Sequence, residues 1–410
     1  MHSLTPARRA LALFTLALGG FSIGVTEFAS MGVLPNIAAD LLPDFATHPA
    51  TEISRAGWLI TLYALGVVVG APIVTAVASR ASQTKLALWL LGAFVVGSLA
   101  SAFAPTFETL AIARFVAGLP HGTFFGAAVL LAGRIMGPGN QGKGIAIAMS
   151  GLPIANIVGV PLATWIGQEA GWRWAYGLVA ALFAITLVLA LRLLPRFPGD
   201  PTRSVRASLA AFTNVRVWIM IGVASIGFGG FFAVYSYVSE VVTRVAGLSP
   251  SAIPLVLAAI GIGMTIGTFV GGWSSDRNNP RTLLVSFGAL IVSLLLYLCF
   301  AGSAVGLYVT VFLVGFWFSV MNPAVQARFI RIARDAALMG AAVSHAAFNI
   351  GNALGAWLGG VVIAAGFGYL SPGWVGLALA SAGAILAITS LSLSRRDRQR
   401  QIDTTGLPLP

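Results

Sequence analysis

The sequence contains twelve apolar segments of about 20 residues each, and this feature constrains the fold more than any other. An α-helix needs about 20 apolar residues to cross the hydrocarbon core of a bilayer. A transmembrane β-barrel is excluded because its strands are short and alternate in hydropathy. The sequence therefore predicts an all-α membrane protein with twelve transmembrane helices. Their approximate ranges are 10–34, 56–79, 85–104, 107–133, 143–168, 173–195, 215–243, 253–273, 282–302, 304–330, 340–366 and 374–394.

Composition agrees with a membrane protein. Apolar residues make up 58% of the chain and charged residues 9%, whereas soluble proteins carry about 25% charged residues. The single cysteine, Cys299, excludes an intramolecular disulfide and a cysteine-cluster metal site. No phosphate-binding GxxxxGK[ST] motif occurs. We therefore expect no enzyme activity, no cofactor and no metal. The first apolar run is longer than the core of a signal peptide, and it is interpreted as helix 1.

The basic residues are distributed asymmetrically between the two sides of the predicted helices. If both termini are cytoplasmic, only Arg55, Arg173 and Arg244 lie outside and Arg114 lies within a span, which leaves 20 of the 24 Lys and Arg residues inside. The positive-inside rule predicts such a bias. The net charge of +12 is therefore interpreted as a topology signal, and a nucleic-acid partner is excluded. We expect a multi-pass protein of the bacterial cytoplasmic (inner) membrane with both termini in the cytoplasm.

The two halves of the chain repeat each other weakly. The stretch GAPIVTAVASR aligns with GTFVGGWSSDR at an offset of 197 residues, and both halves carry small residues at four-residue spacing. The basic, proline-containing stretch between helices 6 and 7 has the composition of a linker. We predict an N-terminal six-helix bundle at 1–195, a cytoplasmic linker at 196–214 and a C-terminal bundle with a basic tail at 215–410. Two parallel repeats with a central site are typical of transporters.

Two charged residues are predicted to lie deep within spans. Glu27 stands eight residues before Pro35, and Arg114 stands eight residues after Thr106, so each lies about 12 Å below the outer end of its helix. A charge at that depth costs at least about 2.5–3.5 kcal/mol unless it is paired or hydrated. We expect the two side chains to pair across a cavity and to couple transport to protons, although a purely structural ion pair is the alternative. His121, two turns beyond Arg114, is a further proton-coupling candidate or a hydrogen-bonded helix histidine.

Aromatic and amide side chains are candidates for binding a small-molecule substrate, with core or lipid packing as the alternative role for about half of the aromatic residues. The candidates are Phe28, Asn156, Phe231, Tyr235, Tyr237, Trp317, Asn349 and Asn352. Asn349 and Asn352 lie about one turn apart on helix 11, where they could instead bond a neighbouring helix.

Five stretches together resemble the major facilitator superfamily, specifically its twelve-helix drug:H⁺ antiporter group. They are GVTEFASMGVLPNIA, YALGVVVGAPIV, RFVAGLPHGTFFG, ANIVGVPLATWIGQEAGWRW and AAFNIGNALGAWLGG. They look most like the arabinose-inducible, sugar-efflux-like and chloramphenicol exporters. The resemblance implies two pseudo-symmetric six-helix bundles and a monomer in the lipid bilayer.

The resemblance also implies roles for individual residues. Glu27 takes the place of the acidic residue of helix 1, and Arg114 matches the arginine of the helix 4 motif. Gating and motif positions are matched as well. They are Gly70 and Arg80 in the loop motif after helix 2, Asp276 and Arg277 in its repeat, and Gly159 and Pro161 in the antiporter motif of helix 5.

The sequence thus predicts a proton-coupled exporter of small neutral or weakly polar molecules, such as chloramphenicol-like drugs or sugars, that works by alternating access. Export is implied by the antiporter motif of helix 5. A solute:H⁺ symporter or a facilitator is the alternative within transport. A non-transporting membrane receptor or scaffold is the alternative from another class.

Overall fold

A computed structural model describes residues 5–78, 81–137, 140–197, 215–333 and 337–405, and these residues form helices without a β-strand. The helix bounds are α1 Pro6–Gly32, α2 Leu34–Leu41, α3 Pro49–Val77, α4 Gln83–Ala102, α5 Phe107–Gly118, α6 His121–Met136, α7 Gln141–Met149, α8 Gly151–Ile154, α9 Val160–Glu169, α10 Trp172–Leu193, α11 Val215–Ser236, α12 Val238–Glu240, α13 Ile253–Phe300, α14 Ala304–Ala333, α15 Ala337–Ala364 and α16 Pro372–Thr405.

Eleven segments within the described residues are long and apolar enough to cross a membrane, and one of them is long enough to cross twice. Helix α13 has 48 residues and would be about 72 Å long if straight, more than twice the thickness of a hydrocarbon core. Its backbone leaves helical geometry at Asn278, with φ −152° and ψ 84°, and Pro280 follows. The fold is therefore the predicted twelve-crossing, all-α fold. Because the number of crossings is even, both chain termini lie at one end, which we call the terminal end.

Three predicted helices are interrupted in their interiors. Pro120 separates α5 from α6, since its ring removes a backbone N–H donor. The predicted helix over 143–168 contains a π-helical turn at Ala155–Gly159, immediately before Pro161. The predicted helix over 215–243 is broken at Tyr237, whose φ of −118° and ψ of 17° lie outside helical values. The predicted spans stand, but hydropathy alone does not locate these interruptions, because a proline or a backbone break leaves the mean hydropathy of an apolar run unchanged.

Helices from the first part of the chain (5–197) pack against helices from the second part (215–405), and we call their interface the seam. Close backbone contact forms where α3 meets α15, because a Cβ atom added at Gly360 would lie 2.9 Å from the Ser54 hydroxyl. At the same end, which is opposite the terminal end, Ser239 Oγ donates to Met31 O at 2.6 Å. The seam is thus closed at the end opposite the termini. The linker predicted at 196–214 lies almost wholly outside the described residues, and the domain boundaries stay predictions.

Short connections between helices are tied together outside the membrane-spanning segments. Asp40 on α2 accepts hydrogen bonds from Trp172 Nε1 at 3.0 Å and from Arg173 Nη1 at 2.5 Å. The hydrogen bond from Arg173 is the main reason that the pKa of the Asp40 carboxyl lies below its usual range. Arg173 also donates to Ala104 O at 3.2 Å. These contacts fix the start of α10 against two other connections.

Candidate functional site

Glu27 lies at the seam, in the last turns of α1, toward the end opposite the termini. Only 6% of its surface is exposed, and every residue of α1 from Ser22 to Gly32 is buried. Its Oε1 accepts a hydrogen bond from Asn352 Nδ2 on α15 at 3.2 Å. Among the described residues, no basic side chain forms an ion pair with this carboxyl group. The contact across the seam is therefore the amide of Asn352, which the sequence suggested as a partner for a substrate or a neighbouring helix.

Arg114 is also buried, with 1% of its surface exposed, but it does not pair directly with Glu27. Its Nη1 donates to Thr26 Oγ1 at 3.1 Å and its Nη2 to Thr26 O at 3.0 Å. The guanidinium also lies 4.2 Å from the centre of the Tyr63 ring. The expected direct pair is thus replaced by an electrostatic interaction at longer range. The physical reason is that Thr26, the residue before Glu27, offers a hydroxyl oxygen and a backbone carbonyl oxygen. These two acceptors match the two terminal nitrogen atoms of the planar guanidinium.

Tyr176 completes the surroundings of Arg114 from α10. Its ring centre lies 5.5 Å from the guanidinium, and its hydroxyl shares a hydrogen bond of 2.9 Å with Ser30. The Tyr176 hydroxyl thus serves the packing of α10 against α1.

His121 begins α6, directly after the break at Pro120. Its Nδ1 lies 3.0 Å from the Tyr63 hydroxyl, and both side chains are buried. On its other side, the imidazole lies 5.4 Å from the Phe125 ring, and Phe125 stacks at 5.4 Å on His345 of α15. Tyr63 therefore contacts both His121 and Arg114. Phe125 contacts both His121 and His345, which belongs to the second part of the chain.

An aromatic cluster occupies the other side of the seam. Phe231 stacks on Phe318 with 3.9 Å between ring centres, and Tyr235 packs edge-on against Phe28 of α1 at 5.3 Å. The Tyr235 hydroxyl donates to Asn156 Oδ1 at 3.4 Å, so it reaches the π-helical turn. Four of the predicted substrate-binding residues, Phe28, Asn156, Phe231 and Tyr235, therefore form one connected group that begins at Phe28, the residue after Glu27.

The remaining predicted substrate-binding residues lie in different surroundings. The Tyr237 hydroxyl donates to Ala356 O at 2.6 Å, which packs this residue into the closed end of the seam. Trp317 is half-buried at the edge of the core and meets Phe316 edge-on at 5.0 Å. Asn349 donates to His345 O on its own helix at 3.1 Å. Asn349 and Asn352 each keep a buried Oδ1 without a hydrogen-bond partner among the described groups.

The predicted gating residues occupy close contacts between helices. A Cβ atom at Gly70 would collide with the Leu119 carbonyl oxygen, so Gly70 lets α3 approach the break between α5 and α6. Gly159 ends the π-helical turn, and a Cβ there would lie 2.5 Å from Val25 Cγ2. Pro161 follows in α9.

The charged gating positions can be described for the second repeat. Arg277 stacks on Trp273 at 3.7 Å, and Asp276 is exposed. Arg80 lies outside the described residues. Asp276 and Arg277 are not in the group around Glu27.

Sequence reasoning missed Tyr63, Thr26 and Phe318. Tyr63 lies within the stretch YALGVVVGAPIV, and its polar hydroxyl in an apolar helix was an available signal. Thr26 precedes Glu27, but it binds Arg114 only because the fold packs α5 against α1, which the sequence does not show. Phe318 could not be distinguished from other aromatic residues of α14, because most of them pack in the core or face outward.

The fold and site define a polytopic membrane transporter: twelve crossings surround a buried carboxylate, guanidinium and imidazole at a seam. The chain belongs to the major facilitator superfamily, whose family profile matches residues 16–344 and 240–410. Proteins of this family are transporters and not enzymes.

Individual relatives match nearly the whole chain. The inner membrane transport protein YdhP of Escherichia coli (strain K12) is 35% identical over 357 residues, covering 87% of this chain and 90% of YdhP. The putative transporter AraJ of the same organism is 31% identical, covering 97% of this chain and 98% of AraJ. A chloramphenicol resistance protein of Streptomyces lividans is 28% identical, covering 92% and 95%.

A solved structure agrees with the fold. The crystal structure of a D-xylose-proton symporter superposes with a TM-score of 0.73 at 15% identity, covering 93% of this chain and 97% of the symporter. At this identity the likeness concerns the fold alone.

Proposed function

We propose that this protein is a proton-coupled exporter that exchanges small neutral or weakly polar organic molecules for protons by alternating access. Glu27 carries the proton, and Arg114 tunes its charge. Chloramphenicol-like drugs and sugars are the proposed substrate classes. The protein acts as a monomer in the inner membrane of a bacterium, with both termini in the cytoplasm.

The observation that carries this proposal is the position of Glu27. A buried carboxyl group is a proton acceptor whose charge state depends on its surroundings. This one belongs to one side of the seam, while its hydrogen-bond partner Asn352 belongs to the other. Any movement that separates α1 from α15 breaks this bond and changes the hydration of the carboxyl group. The protonation state of Glu27 is thereby coupled to the conformation of the seam.

The direction and the substrate class rest on the helix 5 pattern, on named relatives and on the surface beside Glu27. Export is supported by the helix 5 pattern around Gly159 and Pro161, and by relatives named as a chloramphenicol resistance protein and a probable sugar efflux transporter. The aromatic cluster beside Glu27 offers apolar surface, and the amides of Asn156 and Asn352 offer hydrogen bonds. Such a combination fits a neutral molecule that carries a few polar groups.

In the proposed cycle, substrate and proton compete for the same site. Substrate that enters beside Phe28 and Tyr235 displaces the proton from Glu27. The opposite opening of the seam then releases the substrate, and a proton returns to the carboxylate. Arg114, held by Thr26, stabilises the ionised carboxylate during this exchange.

The proposal is tested by measuring proton release from the purified protein in detergent when a compound is added. The compounds are chloramphenicol, other lipophilic antibiotics and neutral pentoses. We expect at least one of them to release protons from the wild type and none to release protons from Glu27→Gln. Glu169→Gln serves as the matched control, because it removes an exposed carboxyl group at the end of α9. Equal release from wild type and Glu27→Gln would contradict the role of Glu27 and favour a facilitator.

The symporter alternative is separated by transport in vesicles with an imposed pH gradient. An antiporter accumulates substrate in a compartment that is more acidic than the other side, whereas a symporter accumulates it in the more alkaline one. A receptor or scaffold shows no coupled flux and tolerates Glu27→Gln.

A further inference from the structure

A second layer of titratable groups lies nearer the terminal end than Glu27. His121 stands seven residues beyond Arg114 along α5 and α6, which run toward the terminal end. His345 stands seven residues before Asn352 on α15, which runs away from that end. At 1.5 Å per residue, His121 is about 10 Å closer to the terminal end than Arg114, and His345 is about 10 Å closer than Asn352. The two imidazoles therefore face one depth of the seam from opposite sides.

Ring contacts connect the two histidines across the seam. Phe125 lies 5.4 Å from the centre of each imidazole and stacks on His345 with an angle of 6° between the ring planes. His121 is 1% exposed, whereas His345 is half-buried. His345 is thus the more accessible of the pair.

Tyr63 links this histidine layer to the layer of Glu27. Its hydroxyl lies 3.0 Å from His121 Nδ1, and its ring supports the Arg114 guanidinium at 4.2 Å. The same guanidinium donates to Thr26, the residue before Glu27, which places Tyr63 next to the layer of Glu27. Because Asn352 bonds only Oε1 of Glu27, the second carboxylate oxygen is left to exchange a proton.

We propose that Tyr63 and His121 form a proton relay between Glu27 and the terminal end of the seam, with His345 as the last group. This inference rests on the proposed function, because it supplies the route by which Glu27 gains and loses its proton. The charged and titratable groups that face the relay are Glu27, Arg114 and His345.

The relay moves one proton and changes no other bond. The Glu27 carboxyl group gives its proton through one water molecule to the Tyr63 oxygen while the Tyr63 hydroxyl proton passes to His121 Nδ1. The imidazolium so formed gives its Nε2 proton to a ring nitrogen of His345 through a water molecule that enters when the terminal end of the seam opens, because Phe125, which contacts both imidazoles, cannot carry a proton. Glu27 is left as a carboxylate, Tyr63 is again neutral, and His121 is neutral in its other tautomer. Proton uptake reverses these steps.

A purely structural hydrogen bond between α3 and α6 is the alternative role for Tyr63 and His121. His121→Gln separates the two roles, because an amide oxygen can still accept from the Tyr63 hydroxyl but cannot pass a proton on. Tyr176→Phe is the matched control for Tyr63→Phe. Both substitutions remove the hydroxyl of a tyrosine that packs on Arg114 and keep its ring.

The experiment is a rapid pH jump on the purified full-length protein, followed through the infrared C=O stretch of the protonated carboxyl group. The Glu27 band is identified by its loss in Glu27→Gln. We expect Tyr63→Phe and His121→Gln to slow the appearance of this band about a hundredfold, as for removal of one positioned proton-transfer group. The final amplitude stays at the wild-type value, and Tyr176→Phe keeps the wild-type rate.

Three results overturn the inference in distinguishable ways. Absence of a Glu27 band from the wild type overturns the proposed function and the relay with it. A Glu27 band that appears at the wild-type rate in Tyr63→Phe overturns the relay and leaves the proposed function standing. A normal rate in His121→Gln together with a slow rate in His121→Ala shows a structural role, which also overturns the relay.

Discussion

Arg114 shows how a single buried charge is accommodated without an ion pair. Its guanidinium uses two of its nitrogen atoms for Thr26 and places its face on Tyr63, so hydrogen bonds and a cation–π contact replace hydration. Its Nε has no hydrogen-bond partner among the described groups. The Nε–H group can therefore donate a hydrogen bond to a substrate or a water molecule, or to a group that it meets in another conformation.

The geometry predicts that lysine cannot replace Arg114. A single ammonium group cannot donate to both Thr26 acceptors in a fixed fork and also stack on Tyr63. We expect Arg114→Lys to lower the free energy of unfolding by about 1.5–3 kcal/mol, the range for hydrogen bonds to a charged group. Thermal unfolding in detergent measures the effect.

Thr26→Val is the matched control for this prediction. It removes the hydroxyl acceptor and keeps both the carbonyl group and the side-chain shape, so we expect less than half of the loss. An equal loss in Thr26→Val would show that the carbonyl bond and the ring contact contribute little.

The residues of the site could be predicted from the sequence one at a time, but their partners could not. A carboxylate in an apolar run identifies Glu27, because its burial is costly wherever the helix packs. The partner of Arg114 depends on which acceptor lies within about 3 Å, and two candidates, Thr26 and Glu27, are adjacent in sequence. Tyr63 needed the fold, since only the approach of α3 to α5 and α6 brings it to both Arg114 and His121.

At the scale of elements, helix interruptions cluster around the site. The break at Pro120 lies between Arg114 and His121, the π-helical turn carries Asn156, and the break at Tyr237 follows Tyr235 by two residues. Hydropathy predicted the twelve crossings because it averages over 20 residues. The same averaging does not locate these interruptions, because a proline, a π-helical turn of five residues or a single residue outside helical values hardly changes the mean hydropathy.

The close packing of α1 on the span of α7 and α8 gives an element-scale prediction. A Cβ atom at Gly151 would collide with the Ala17 carbonyl oxygen and lie 2.6 Å from Phe21 N. Because both neighbours are backbone atoms, they cannot move aside as a side chain would. We expect Gly151→Ala to lower the free energy of unfolding by about 1–3 kcal/mol, the usual cost of overpacking.

Gly92→Ala is the control, measured by the same thermal unfolding. Gly92 lies within α4, and a Cβ atom there would meet nothing within 4 Å. Alanine should therefore be neutral or stabilise the protein by up to about 1 kcal/mol, as expected for glycine replacement inside a helix. Equal effects of the two substitutions would refute the close contact at Gly151.

At the scale of the whole molecule, the seam is closed at the end opposite the termini. Ser239 bonds Met31 there, and the Tyr237 hydroxyl lies against Gly57 and Gly360. Alternating access requires this end to open in another part of the cycle. The structure thus represents one of the conformations that the proposed mechanism needs.

A cross-link tests the closed end directly. A Cβ atom added at Gly360 would lie 3.4 Å from Ser54 Cα, so cysteines at 54 and 360 have the proximity that a disulfide requires. In a Cys299→Ser background, we expect Ser54→Cys with Gly360→Cys to lose both free thiols on mild oxidation, as measured by maleimide labelling. Ser54→Cys with Gly359→Cys is the control, because a Cβ at Gly359 meets Tyr237 instead. Equal cross-linking of both pairs would contradict the register of α3 against α15.

The titratable groups of the site are divided unevenly between the two repeats. Glu27, Arg114, Tyr63 and His121 come from the first part of the chain, whereas the second part contributes His345, Asn352 and most of the aromatic rings. Under the proposed function, the groups that handle the proton thus lie mainly in the first part of the chain, and the aromatic surface proposed for the substrate lies mainly in the second. Substitutions in that aromatic surface can then change the range of compounds recognised while Glu27, Arg114, Tyr63 and His121 stay intact. Relatives that share a proton-driven mechanism and differ in cargo are the evolutionary outcome that this arrangement predicts.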